Sequence, residues 1–203
     1  MSRHLIRFGD QLKNAIASHN VPGLKWLIDG FNYYDIQRVR EVGADRACAE
    51  WVVRCGGSVK FDKFKDTFND YNTLIRVTAE LDPAKPSGQV SIVNIDASNS
   101  CVSGFGCRHL NGLKGLETLT FARCKNLQDF ALETVGNEVG STLSHLKLEA
   151  CPRITEFGLK HLKTFTGLKT LTIKDLPRVY KPERSKQEIE KALPNCQIDF
   201  PTK

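Results

Sequence analysis

The sequence predicts an α/β fold of stacked strand-and-helix units, and two observations carry that expectation. A leucine spacing recurs through the second half of the chain, and a stretch of helical character follows each recurrence. Composition permits the core that such a stack needs: of 203 residues, 40% are apolar and 8% aromatic, too many for a disordered segment.

The repeat is explicit. Leu116-x-x-Leu119-x-Phe121-x-x-Cys124-x-x-Leu127-x-Asp129-x-Ala131-Leu132 aligns with Leu143-x-x-Leu146-x-Leu148-x-x-Cys151-x-x-Ile154-x-Glu156-x-Gly158-Leu159. A third copy begins Leu168-x-x-Leu171-x-Ile173-x-x-Leu176-x-x-Val179. A weaker one precedes them, Val90-x-x-Val93-x-Ile95-x-x-Ser98-x-x-Cys101, and Leu193-x-x-Cys196-x-Ile198 restarts the pattern near the C-terminus. The starts at 90, 116, 143, 168 and 193 give intervals of 26, 27, 25 and 25 residues. This is the spacing of leucine-rich repeats, in the form with Cys at the asparagine position. Each L-x-x-L-x-L is expected to form a short strand with its leucines inward, and the stacked strands to form a parallel sheet on the concave face of a solenoid. The chain then returns through helices at 129–135 and 156–165. Cys124 and Cys151 are expected inside the turns, as structural thiols facing backbone carbonyls.

Residues 26–60 read as a small helical domain capping the open end of this solenoid. Trp26, Leu27 and Phe31 form an apolar patch, and Tyr34 to Val42 a second helical stretch. Asp45 reads as the N-cap of a helix from Arg46 to Cys55, which Gly56 and Gly57 end. Ala47, Trp51 and Cys55, four residues apart, give that helix a buried stripe. Residues 61–89 read as a connecting arm, with Phe61, Phe64, Phe68 and Tyr71 packing it and Pro83, Pro86 and Gly88 ending it. Residues 90–203 hold about four repeats.

Residues 1–25 place Leu5, Phe8, Leu12 and Ile16 on one helical stripe beside Arg3, Arg7 and Lys13. That is the character of a mitochondrial presequence, and equally of a basic surface helix. The net charge is +6, but the leader holds four bases and one acid, leaving 25 bases against 22 acids elsewhere. So even a balance excludes a nucleic-acid-binding surface. No apolar run approaches the roughly 18 residues of a membrane-spanning helix. Seven cysteines without a C-x-x-C pair fit buried thiols in a reducing compartment.

The outward strand positions are the candidate partner-binding residues: Asn94 and Asp96; Thr118, Thr120 and Ala122; His145, Lys147 and Glu149; Thr170, Thr172 and Lys174. They form a mixed polar surface without a large aromatic anchor, which suits a modest interface. No nucleophilic triad signature, phosphate loop or metalloprotease motif is present. Cys107 and His109 lie two apart in a helical stretch, where side chains diverge. His145 and Glu149 share a strand face as an acid–base pair, but an open sheet without a pocket favours a contact surface. The chain is therefore expected to be non-catalytic.

Trp26-Leu27, the run Val39-Arg40-Glu41-Val42-Gly43-Ala44-Asp45-Arg46-Ala47, Glu50-Trp51-Val52-Val53-Arg54-Cys55-Gly56 and Ile95-Asp96-Ala97-Ser98 together resemble the mitochondrial ATP synthase subunit s (coupling factor B) family. So does Leu168 to Pro177 with its Asp175-Leu176-Pro177. The related complex I distal membrane arm assembly proteins share this architecture. The resemblance implies a presequence and a matrix-side protein peripheral to the mitochondrial inner membrane. It also implies association with the ATP synthase membrane sector, in a role that couples proton flow to ATP synthesis. Its alternative is assembly of the distal membrane arm of complex I. Cys-type repeats also occur in F-box receptors of ubiquitin ligases, a third reading, although residues 26–60 lack the Leu-Pro opening of an F-box.

The resemblance further implies a structural magnesium ion held by backbone carbonyls at the junction of cap and first repeat, which fall on Gly56 and Ser98. The other reading of these residues, a helix C-cap and a repeat turn, stays open beside it. No organic cofactor is implied. Where relatives can carry a Cys-x-Cys dithiol, this chain has Ala122-Arg123-Cys124, so only the second thiol remains.

Overall fold

The computed structural model of the chain describes residues 25–81 and 88–201. Three helices open it: α1 (Lys25–Phe31), α2 (Ile36–Val42) and α3 (Ala44–Arg54). The hairpin β1 (Ser58–Phe61) and β2 (Thr67–Phe68) and the helix α4 (Tyr71–Thr78) follow. Then come β3 (Ile92–Asp96), a 3-10 helix (Gly106–Leu110), β4 (Thr118–Ala122), α5 (Asp129–Val139) and β5 (His145–Glu149). The chain continues through α6 (Glu156–Leu159), a second 3-10 helix (Lys160–Thr164), β6 (Thr170–Lys174), α7 (Pro182–Ala192) and β7 (Gln197–Asp199). All seven strands join one sheet in the order β2-β1-β3-β4-β5-β6-β7. β3 to β7 run parallel, each beside the next in sequence, while β1 and β2 continue the sheet antiparallel beyond β3.

The register superimposes the repeated leucines. Ile95, Leu119, Leu146, Leu171 and Ile198 form one row across the strands, and Phe121, Leu148 and Ile173 a second. Ile198 is half-buried and the other seven are 2% exposed or less. At roughly 25 cal/mol per Å² of apolar area, each such side chain contributes on the order of 2 kcal/mol. The polar residues between them face the other way and, among the described residues, stay partly or fully exposed.

The strands end in a common device. Asn99, Arg123, Ala150 and Asp175 have φ of 56°, 57°, 49° and 53°, each immediately before a buried turn residue: Ser100, Cys124, Cys151 and Leu176. A left-handed backbone costs a non-glycine residue about 1 kcal/mol. It is repeated here because it swings the next side chain inward while the N–H stays in the ladder. Asn99, Arg123 and Ala150 donate to the carbonyls of Ala122, Glu149 and Lys174 on the following strand at 2.8, 2.8 and 3.0 Å. Inside the turn, the Cys124 thiol donates to the Ala97 carbonyl at 3.0 Å, and the Cys151 thiol to that of Glu149 at 3.4 Å. Held beside Cys151 and shut off from water, the Cys124 thiol is pushed well above its ordinary pKa, which leaves it a structural group.

The first repeat and the C-terminal restart both lie two residues later than the leucine spacing suggested; at the C-terminus Ile198, not Cys196, pairs with Leu171. Asn94 pairs with Thr118 and Ile95 with Leu119, so Ile92, Ile95, Ala97 and Ser100 take the inward places. Val93 is half-buried, and Ser100, not Ser98, stands where later repeats have Cys. Its hydroxyl donates to the Ala97 carbonyl at 2.7 Å. Because strand side chains alternate with a period of two, this shift leaves Asn94 and Asp96 on the open face.

In the helical cap, the side chain of Asp35 caps α2 by accepting from the Gln37 and Arg38 amides. Gly43, at φ 85°, serves as both the end of α2 and the start of α3. Asp45 is therefore not the N-cap. It sits in the first turn of α3 and accepts from the Ile92 amide at 2.7 Å, tying the cap to β3. Arg38 clamps the buried Glu50 through two bonds of 2.7 and 2.9 Å, joining α2 to α3. Ala47, Trp51 and Cys55 are buried as the stripe requires. Trp26 is 69% exposed; Ile28 and Phe31 carry the packing of α1 instead. The stretch 58–61 is a strand, because Val59 and Phe61 alternate with exposed Lys60 against β3. In the segment after it, Phe61, Phe64 and Phe68 meet edge to face at 5.5 to 6.0 Å.

Asn32 joins the cap to the sheet. Only 3% exposed, it donates to the Cys101 carbonyl at 2.9 Å and accepts from the Ser103 amide at 2.9 Å and the Trp51 indole at 3.3 Å. Gly106 is required alongside, since a Cβ there would lie 2.6 Å from the Trp51 indole nitrogen. His109 completes the cluster, stacked on Trp51 with centroids 5.1 Å apart and bonded through Nε2 to the Tyr33 carbonyl at 3.0 Å.

Two outcomes test this construction. Leu146→Asp buries a charge in the leucine row, and circular dichroism should show loss of the folded state; a soluble variant that unfolds cooperatively would refute the stacking. Burial lowers the His109 imidazole from 6.5 to about 4. The folded state therefore favours neutral His109, and this contribution is complete above pH 6.5 and lost as pH falls toward 4. Urea unfolding should show a decline on the order of 3 kcal/mol across that window, reduced in His109→Phe.

A candidate interaction surface on the open face of the sheet

The open face is laid out by the ladder. Thr118, His145, Thr170 and Gln197 form one row, and Thr120, Lys147, Thr172 and Asp199 the next. Asn94 and Asp96 continue these rows on β3, and Glu149 and Lys174 form a third row with Ala122. All ten residues expected to meet a partner (Asn94, Asp96, Thr118, Thr120, His145, Lys147, Glu149, Thr170, Thr172 and Lys174) are thus brought onto one surface, each partly or fully exposed. Ala122 is the exception: it shares the face but is only 2% exposed.

Neighbouring rows pair their charges. Lys147 Nζ lies 2.5 Å from Glu149, Arg123 Nη1 lies 3.4 Å from the same carboxylate, and Lys174 Nζ lies 2.8 Å from Asp199. The bond from Lys147 holds Glu149 below the usual carboxylate range, and Asp199 holds the Lys174 ammonium above its own. Such exposed pairs add little to stability; they fix where each charge is presented. His145 Nδ1 bonds the Thr170 hydroxyl at 2.7 Å. Four strand residues at about 3.3 Å each separate it from Glu149, so the acid–base pair suggested by the sequence does not form.

Sequence reasoning missed Gln197 and Asp199 on the last strand and four further members of this face. Arg123 and Asn99 belong to the left-handed turns, and Arg123 Nε donates to Asn99 Oδ1 at 2.7 Å, continuing the Glu149 cluster along the strand ends. The signal was their place just before the buried turn residue. Ser58 and Lys60 pair with Asp96 and Asn94 and widen the face at its antiparallel end, where no leucine spacing announces a strand.

Gly56 and Ser98 are brought to one junction. Gly56 ends α3 at φ 91°, the Cys55 carbonyl accepts from the Cys101 amide at 2.9 Å, and Gly57 packs against Asp96 and Ala97. Both the Ser98 amide and its hydroxyl donate to Asp96 Oδ1, at 2.9 and 2.5 Å. Among the described residues, neither the Gly56 nor the Ser98 carbonyl accepts a main-chain hydrogen bond. No group of three or more His, Cys, Asp or Glu side chains is placed to hold a metal there. The two carbonyls fit a hard cation only as part of a mostly hydrated shell.

Fold and surface together define a scaffold that presents one polar sheet face. No family model matches the chain. It is similar to the mitochondrial ATP synthase subunit s of Mus musculus, 34% identical over 176 residues that cover 86% of this chain and 84% of the relative. The same-named protein of Bos taurus is 33% identical over 180 residues, 88% of this chain and 86% of the relative. Distal membrane arm assembly component 2 of Drosophila melanogaster is 27% identical over 165 residues, 80% of this chain and 55% of the relative. With identity above 30% across most of both chains, this chain belongs to the ATP synthase subunit s family.

Proposed function

We propose that the chain is a non-catalytic accessory protein of the mitochondrial ATP synthase membrane sector, peripheral to the inner membrane on its matrix side. It takes part in coupling proton translocation to ATP synthesis, acting as a leucine-rich-repeat solenoid that docks through the open sheet face. The observation that carries this reading is the similarity to relatives named ATP synthase subunit s along nearly nine-tenths of the chain. The face itself supports a binding role. Its charges are set by ladder register, and its one histidine is bonded to a threonine. The Drosophila relative's name supports a second reading, assembly of the complex I distal membrane arm.

The two readings separate on native gels of gently solubilised mitochondria carrying a C-terminally tagged chain. Co-migration with ATP synthase is expected, and Lys147→Ala or Glu149→Ala should weaken it while leaving the fold intact. Migration with complex I intermediates would establish the second reading, and migration with neither would overturn both.

We also propose that the Gly56 and Ser98 carbonyls hold magnesium, with water completing its shell and the ion bracing the junction of cap and sheet. Binding of magnesium only by the folded chain must raise its unfolding temperature. Calorimetric titration should give saturable heat and that rise, whereas no heat and no shift at about 10 mM magnesium, well above the range of structural sites, would remove the ion.

A further inference from the structure

A second surface lies away from the open face. The 3-10 helix and the turns that follow β3, β4 and β5 form one wall of a cleft of about 770 Å³, and α1 with Tyr33 forms the other. That volume lies within the range of small-ligand sites. Lys25 reaches it from α1, and Arg108 and Arg153 from the opposite wall; among the described residues Asp29 is the acid that lines it. With its amide oxygen turned toward Arg153, Gln128 accepts from both terminal nitrogens at 3.1 and 3.0 Å, which orients the guanidinium and leaves it donors to spare. Aromatic rings stand at the rim: Tyr33 is 71% exposed and Phe105 64% exposed, the latter held against Phe130 with centroids 5.0 Å apart.

These groups share one demand. Three cations line the cleft from its two walls, and a phosphate, with more charge and more oxygens in tetrahedral array, meets them more fully than the two oxygens of a carboxylate. Exposed rings beside them suit a planar or apolar body attached to that phosphate. We propose that this cleft binds a phosphate-bearing ligand, with Arg108 and Arg153 on the phosphate and Tyr33 and Phe105 against the remainder. Such a phosphate could come from a soluble nucleotide or from an anionic phospholipid headgroup.

The test uses the intact chain, the double variant Arg108→Gln/Arg153→Gln, and a control, Lys186→Gln/Lys191→Gln, that removes equal charge from α7. Each is titrated calorimetrically with ADP and with inorganic phosphate, and sedimented with phosphatidylcholine vesicles with and without cardiolipin. The cleft variant should bind about tenfold more weakly or worse, as expected for losing two charge-assisted contacts, with the control unchanged. Binding of ADP or phosphate identifies a soluble source, and binding only to cardiolipin vesicles identifies a headgroup. No binding to any probe, or equal losses in both double variants, would overturn the proposal.

Discussion

Everything in this protein depends on a fixed spacing between parallel strands. Neighbouring strands must sit about 4.8 Å apart, so each return path must cover the same advance and re-enter in register. The inward leucine rows secure that advance through burial. The left-handed residue at the ends of β3 to β6 secures it in the backbone by turning the chain inward, and Asn99, Arg123 and Ala150 still bond the next strand through their N–H groups. Four non-glycine residues share this conformation, and its cost is met because each also delivers a buried residue to the core.

A stack of this kind has open ends, and the two ends are closed differently. At the first strand, β1 and β2 reverse direction and continue the sheet, while α3 covers its core side through Trp51. Asn32, Asp45 and His109 then bind the cap to the first repeat with side-chain bonds to main-chain groups. Such bonds depend on position rather than on bulk, and Gly106 shows how little space they leave. At the other end, α7 packs Ile189 onto the preceding 3-10 helix and β7 is short and half-exposed.

This construction separates the residues that hold the fold from those that line the open face. Inward residues carry the fold, and outward residues on the same strands are free to vary in chemistry. Ion pairs such as Lys147 with Glu149 and Lys174 with Asp199 orient the open face without holding it together. The cleft beside α1 draws on a different set of positions, the turns after the strands, where side chains from successive repeats gather along one edge. One scaffold therefore offers two surfaces of distinct character: a broad polar face and a concave, basic and aromatic cleft.

The sequence by itself determined the central parallel strands, their alternation and most of the buried thiols. Apolar residues recurring at the inward places are a local pattern that survives any arrangement of the rest, and parity alone put Asn94 and Asp96 on the correct face even with the first repeat two residues out of place. Tertiary structure decided what no local pattern encodes. Asp45 has the composition of a helix cap, yet its carboxylate is taken by the Ile92 amide 47 residues away. Trp26 reads as part of an apolar patch but lies exposed, because burial depends on what packs opposite. β1 becomes a strand only because β3 offers an unpaired edge, and the cleft exists only because α1 lies beside turns distant in sequence. Contacts of that kind are properties of the assembled chain, since they join groups that no spacing along the sequence relates.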